Sequence, residues 1–315
     1  MKRLKRDVCP VCEGSKKSRL NFALIAPWIR ELTGTTKLFS SFYTCSHCSL
    51  GWSDICYTSS ELNRLYSNYR EENYFYIRNK WESSYSRELN SGLNIDTTFH
   101  QTRKDFMTSL LDQGVPGFTS QSKVVVDIGG GHGAVMPDWD SISHKFLVEV
   151  STAIPQPSIH KISSISEIPA SLSPDLVMAC GLLEHLNYPK AFVQGLTLEI
   201  NSLKPTHDTL FYFEVPNGLP KRRSSLLFLF AAFFSLFSFS WNFIDKLEFF
   251  KTSRFFPIRI AEHIQFFNEL SLKILIEKSG MEVLAIKEYR SVDKLPGKKG
   301  LRFQQGLAAV ARMPC

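Results

Sequence analysis

The sequence predicts an α/β chain in which a doubly wound, mainly parallel sheet follows a small cysteine-rich module. Three observations carry this. The β-branched run Lys123-Val124-Val125-Val126-Asp127-Ile128 leads directly into Gly129-Gly130-Gly131-His132-Gly133-Ala134, as a buried parallel strand does when it turns sharply. Strand-like and helix-like runs then alternate to the carboxyl end. Near the amino end stand two Cys-x-x-Cys pairs.

Those pairs, Cys9-Pro10-Val11-Cys12 and Cys45-Ser46-His47-Cys48, mark residues 1–58 as a zinc-binding module. Two residues between cysteines let both sulfurs face one ion, and two such knuckles complete a tetrahedral four-thiolate zinc site. Gly14 and Gly51 are expected to supply the turns, and His47 is an alternative ligand inside the second knuckle. A redox dithiol would use one such motif rather than two. A closed four-thiolate site serves folding, not chemistry. Cys56, Cys180 and Cys315 have no matching partners in the sequence.

The composition excludes fibrous and disordered classes: 315 residues, 43% hydrophobic and 21% charged. The net charge of +7 is diffuse apart from Lys2, Arg3, Lys5 and Arg6, so a nucleic-acid partner is not the leading expectation. No apolar run stands behind that basic start, so a reducing cytoplasm is expected, where seven cysteines favour metal over disulfides.

Residues 59–120 read as a helical linker rich in tyrosine, with Tyr69, Tyr74 and Tyr76 as site-lining candidates. Thr98 to Leu111 is the helix expected to cover the cofactor. The core begins near residue 121. Glycines after the first strand let a ligand approach backbone amides, and the second strand, Phe146 to Val150, carries Glu149 where a carboxylate accepts ribose hydroxyls. Pro137 and Pro155 shorten the first two helices. A third strand is expected within Ser-rich Ile162–Pro174. Strands at Pro174–Cys180 and Thr209–Val215 flank a helix from Pro189 to Leu203. A helix at Asn268–Ser279 and strands at Glu282–Glu288 and Gln305–Arg312 complete the pattern.

The glycine loop alone has two readings. Gly129-x-Gly131-x-x-Ala134 fits a dinucleotide fingerprint. Asp127-x-Gly129-x-Gly131-x-Gly133 resembles motif I of the class I S-adenosylmethionine (SAM) methyltransferases. The order of the parts downstream favours the second: Leu183-Glu184-His185-Leu186, a helix, Leu203-Lys204-Pro205, a strand and Val215-Pro216-Asn217 stand as they do in that family. With the double knuckle and Ala261-Glu262-His263-Ile264-Gln265-Phe266-Phe267, the chain resembles the zinc-domain methyltransferases whose members include the deoxysugar C-methyltransferases.

The resemblance implies a Rossmann-like, seven-stranded methyltransferase sheet with a core spanning 121–315. It implies SAM as cofactor, held by Asp127, Gly129, Gly131, Gly133, Glu149 and Glu184. It also implies a catalytic pair of Glu262 and His263; His185 is a further catalytic candidate, with closing the floor of the cofactor pocket as its alternative role. The family's Tyr-His-Glu-His segment maps to Ile260-Ala261-Glu262-His263, so its tyrosine and first histidine are replaced here, a departure that bears on carbon methylation more than on methyl transfer. The expected acceptor is small or glycan-like, a sugar nucleotide or lipid-linked saccharide. The alternatives are an RNA-directed methyltransferase or nucleic-acid-binding zinc protein, and an inactive SAM-binding scaffold.

Within an insertion at 219–257, the stretch from Ser224 to Ile244 carries no charge, is rich in phenylalanine and comes directly after Lys221-Arg222-Arg223. The later strands must rejoin the same sheet, which argues against a single membrane span. A peripheral membrane contact, a greasy substrate mouth and burial against the fold remain the readings.

Overall fold

The computed structural model describes residues 8–14, 16–92, 98–205, 207–218, 258–294 and 301–314. The insertion at 219–257, with its uncharged stretch, lies outside them, as does Cys315.

The cysteine-rich part forms β1 (Lys16–Ile25), α1 (Pro27–Thr33), β2 (Phe39–Cys45) and β3 (Gly51–Ser53). Next come helices α2 (Ser59–Tyr66), α3 (Glu72–Trp81), α4 (Arg87–Gly92), α5 (Thr98–Gly114) and α6 (Phe118–Gln121). Thr58 starts α2 with a capping box, its hydroxyl accepting from the Glu61 N–H while Glu61 reaches back. The core strands are β4 (Val124–Ile128), β5 (His144–Val148), β6 (Ile159–Ile162) and β7 (Leu176–Cys180). Then come α7 (Pro189–Ser202), β8 (Leu210–Pro216), β9 (Ile258–Ile260), β10 (Gln265–Phe266), α8 (Glu269–Lys278), β11 (Glu282–Lys294) and β12 (Leu301–Arg312).

Seven strands form the expected sheet, in the order β11-β12-β8-β7-β4-β5-β6. β6, β5, β4, β7 and β8 run parallel, while β12 is antiparallel to both β8 and β11. This is the Rossmann-like, seven-stranded sheet that the sequence predicts. Alternation along each strand divides the core. Val124, Val126, Phe211, Phe213 and Ala309 pack with Val193, Leu196, Leu272 and Ile276 of α7 and α8. Val125, Tyr212, Ala308 and Val310 face Met107, Leu110 and Leu111 of α5.

Two expectations are corrected. The third strand lies at Ile159–Ile162, ahead of the serine-rich stretch. It is a short edge strand, only half-buried, and so shows little apolar pattern. The first two crossovers are not short helices but turns. Positive φ at Gly131 and Gly133, with Pro137 lacking an N–H just beyond, prevents a helical ladder after β4. Pro155 and Pro157 do the same after β5.

A second sheet, β10-β3-β2-β1-β9, joins the amino-terminal strands to β9 and β10, which follow β8 in the sequence. β9 adds parallel to β1, and β10 adds antiparallel to β3. The segment 261–264 is thereby suspended between strands fixed to the cysteine-rich part.

The knuckles turn at Glu13 and Ser49, which take positive φ, rather than at Gly14 and Gly51. Gly14 is instead needed for space, since a Cβ there would sit 3.2 Å from the Cys12 Sγ.

Candidate active site

A cavity of about 400 Å³ opens at the carboxyl ends of β4, β5, β7 and β8, where ligands bind in open α/β sheets. On its cofactor side are Asp127, Gly129, Gly131 and Glu149; Glu184, His185, Glu262 and His263 line it too. Of the residues expected to bind cofactor, Gly133 lies just beyond the lining, keeping the turn at φ +77°.

Glu149 is fixed on both oxygens. The Gly131 N–H donates to Oε2 at 2.8 Å and the Ser151 N–H to Oε1 at 2.8 Å. Both oxygens retain a further lone pair for a ligand hydroxyl. Asp127 is fully buried, and neither carboxylate oxygen has a hydrogen-bond partner among the described residues. Burial pushes its pKa up to about 7; Arg103 opposes the shift, and Glu149 and Glu214 add to it.

Beyond β7, Gly181 takes φ +68° and begins the turn that carries Glu184 and His185. Glu184 is buried, its Oε2 without a partner among the described residues, and burial lifts its pKa to about 8. The 261–264 segment is stitched to this turn. The Ile264 N–H donates to the Glu184 carbonyl at 2.9 Å, and His185 Nδ1 lies 3.2 Å from the Glu262 carbonyl. The imidazoles of His185 and His263 meet edge to face at 4.8 Å.

The Glu262 carboxylate is engaged by Tyr74 and Arg78. The Tyr74 hydroxyl donates to its Oε1, Arg78 Nη1 stands 3.5 Å from the same oxygen, and Arg78 also donates to the Tyr74 oxygen at 2.6 Å. Burial alone would raise the Glu262 pKa, but Arg78, His185 and Tyr74 outweigh it and hold the carboxyl at about 2. Desolvation within the site and the neighbouring His185 lower the pKa of His263, whose side chain is still 40% exposed, so its ring is neutral. His185 is lowered too, chiefly by burial.

Of the three tyrosines singled out, Tyr69 lines the cavity. Tyr74 is buried behind Glu262. Tyr76 is 68% exposed and does not line the cavity, which corrects that expectation. Among the lining residues that the sequence did not single out are Tyr66, Arg103, Glu214 and Tyr289. Arg103 of α5 donates to Glu214 at 2.7 Å, and the Tyr289 hydroxyl donates to the same Oε1 at 2.6 Å. Glu214 stands near the end of an otherwise apolar strand, and that lone acid was the available signal.

The four knuckle cysteines lie together, all buried, with every Sγ within 4.8 Å of the others. Cys9 and Cys48 are 3.5 Å apart, and Cys12 and Cys45 3.4 Å. Disulfide bonds would be far shorter, at about 2.05 Å. A tetrahedral ion with sulfur ligands at about 2.3 Å spaces them by about 3.8 Å, so the set fits a zinc ion. His47 is not part of it.

No family model matches the chain, and no curated protein does. Solved structures do. A SAM-dependent methyltransferase from Anabaena variabilis is 12% identical, over 76% of this chain and 95% of its own, with a TM-score of 0.41. One from Archaeoglobus fulgidus is 18% identical over 66% and 94%, at 0.36. One from Clostridium acetobutylicum is 10% identical over 69% and 92%, at 0.37. These are distant likenesses, and the fold rests on the strand order itself.

Proposed function

We propose that the chain is a SAM-dependent methyltransferase acting on a small or glycan-like acceptor, a sugar nucleotide or lipid-linked saccharide. The observation that carries this reading is the joining of two parts in one cavity: a glycine loop tied to Glu149, and the His185–His263 pair. When bound, SAM supplies a methyl group already activated by its sulfonium.

The residues then divide the remaining tasks. Glu149 accepts ribose hydroxyls, while the loop after β4 leaves backbone room for the cofactor. Tyr66 and Tyr69 border the space for an acceptor. The neutral His263, oriented by the 261–264 segment, accepts the acceptor's proton. Glu262 stays charged against Arg78 and acts as a positioning residue. A structural zinc on Cys9, Cys12, Cys45 and Cys48 belongs to the same reading, and its role is to hold the sheet from which that segment hangs.

Incorporation of labelled methyl from SAM into fractionated sugar nucleotides or membrane lipids tests the proposal. Label in RNA alone would overturn the acceptor class. For the uncharged 224–244 stretch, the sequence supports a peripheral contact with anionic membranes through its aromatic residues and Lys221-Arg222-Arg223. Co-sedimentation with anionic vesicles, lost on replacing Phe233, Phe234 and Phe237 by Ser, tests it.

A further inference from the structure

We propose that Glu184, His185 and His263 form a metal site with an open coordination position, suited to a divalent ion of tetrahedral preference such as Zn²⁺. Each offers one ligand atom, and the three atoms lie within 4.8 Å of one another. Glu184 Oε1 stands 3.7 Å from His185 Nε2 and 3.8 Å from His263 Nε2. With ligands at about 2.1 Å, a tetrahedral ion spaces its donors by about 3.4 Å and an octahedral one by about 3.0 Å. The two carboxylate–imidazole separations are nearer the tetrahedral value and close onto it with a shift of a few tenths of an ångström.

Two further features point to a ligand there. Glu184 is 2% exposed, and its Oε2, beside the Oε1 that stands near both histidines, has no partner among the described residues, a costly arrangement for a carboxyl with nothing to bind. His185 Nδ1 faces the Glu262 carbonyl at 3.2 Å. A carbonyl only accepts, so Nδ1 carries the proton and Nε2 presents its lone pair. Metal-bound histidines are held in the same way by an acceptor behind the ring.

The donor set, two imidazoles and one carboxylate, is that of zinc sites with three protein ligands and an open fourth position. All three residues line the cavity, so the fourth ligand comes from it, as water or as an oxygen of the bound acceptor. The ion would take the lone pair that a metal-free His263 offers to a proton, so metal binding and proton acceptance exclude each other at that ring. The site is independent of the cysteine cluster. It rests on neither SAM binding nor the acceptor's identity.

The test is calorimetric titration of the full chain, with its cysteine-bound zinc in place, using Zn²⁺ alone. A further single equivalent should bind, on the order of micromolar. His263→Ala, His185→Ala and Glu184→Gln should each weaken it by at least about tenfold, while His160→Ala, an exposed histidine on β6, leaves it intact. Retained cysteine-bound zinc and unchanged circular dichroism identify folded variants. The wild type provides a reading that needs no variant: Co²⁺ in the second site should give tetrahedral visible bands without thiolate charge transfer. Absence of a second equivalent, or its survival in both histidine variants, would overturn the site. Neither result bears on whether SAM binds.

Discussion

The carboxylate of Asp127 lies directly against Gly130: a Cβ added there would fall 1.9 Å from Oδ2 and 2.4 Å from Cγ. The glycine loop thus has its strictest requirement at a position other than those read as cofactor ligands. Gly131, by contrast, has open space around a would-be Cβ and only its φ of +62° to satisfy. Gly130→Ala should cost about 2–4 kcal/mol in urea denaturation and weaken SAM binding, whereas Gly131→Ala should cost about 1–2 kcal/mol in stability. Equal stability of the two variants would place the Asp127 carboxylate elsewhere.

Asp127 and Glu184 also set a pH dependence. Burial raises them to about 7 and about 8, so the folded chain keeps protons that an unfolded one releases near pH 4. Their contribution to stability is fully present below about pH 4 and is lost as pH climbs toward 8. Relative to the wild type, Asp127→Asn should therefore gain about 2–4 kcal/mol between pH 4 and pH 8. Denaturant midpoints across that range measure it, and parallel curves would contradict the buried, unpaired carboxyl.

Glu262 behaves in the opposite sense. Its pKa of about 2 lies below the unfolded value of about 4.3, so its contribution is present above that value and disappears as pH falls toward 2. Tyr74→Phe should lower stability at neutral pH by about 1–2 kcal/mol and move the acid-unfolding midpoint to higher pH. Arg78→Met leaves the buried charge less compensated and should cost about 3–5 kcal/mol. An unmoved acid midpoint in both variants would show that Glu262 is not held by this pair.

The cysteine cluster should control the segment that carries Glu262 and His263. The Ala26 N–H donates to the Ile260 carbonyl and the Ser53 N–H to the Ile264 carbonyl, both at 2.9 Å. Treating the chain with a strong zinc chelator, or substituting Cys45→Ser, should speed amide exchange across 260–266. The strand Val124–Ile128 should keep its protection. Exchange that accelerates equally in both places would mean general unfolding rather than loss of a local support.

The sequence foretold the parts of this architecture that are deeply buried. β4, β7 and β8 are sandwiched between helical layers, so their apolar and β-branched runs are long enough to see. The capped helix α8 was visible for another reason: Asn268 accepts from the Ser271 N–H, and Gly280 takes φ +87°. β6 and the helix-less crossovers were hidden, because an edge strand with His160 and Lys161 exposed carries no pattern. In the site, the glycine loop, Glu149 and the Glu184-His185 and Glu262-His263 pairs were legible as local motifs. The Arg103–Glu214–Tyr289 group was not, since its members meet only when α5, β8 and β11 pack together. The addition of β9 and β10 to the amino-terminal sheet is likewise a tertiary event that no local signal announces.

The most direct measurement is calorimetric binding of SAM and NADH to the wild type and to Glu149→Ala. The Glu149 carboxylate accepts from Gly131 and Ser151 and is assigned the ribose hydroxyls, each such bond contributing about 1.5–3 kcal/mol. SAM should bind the wild type without competition from NADH, and Glu149→Ala should weaken SAM by at least about tenfold. Unchanged SAM affinity in the variant, or NADH binding more tightly than SAM, would contradict the cofactor assignment.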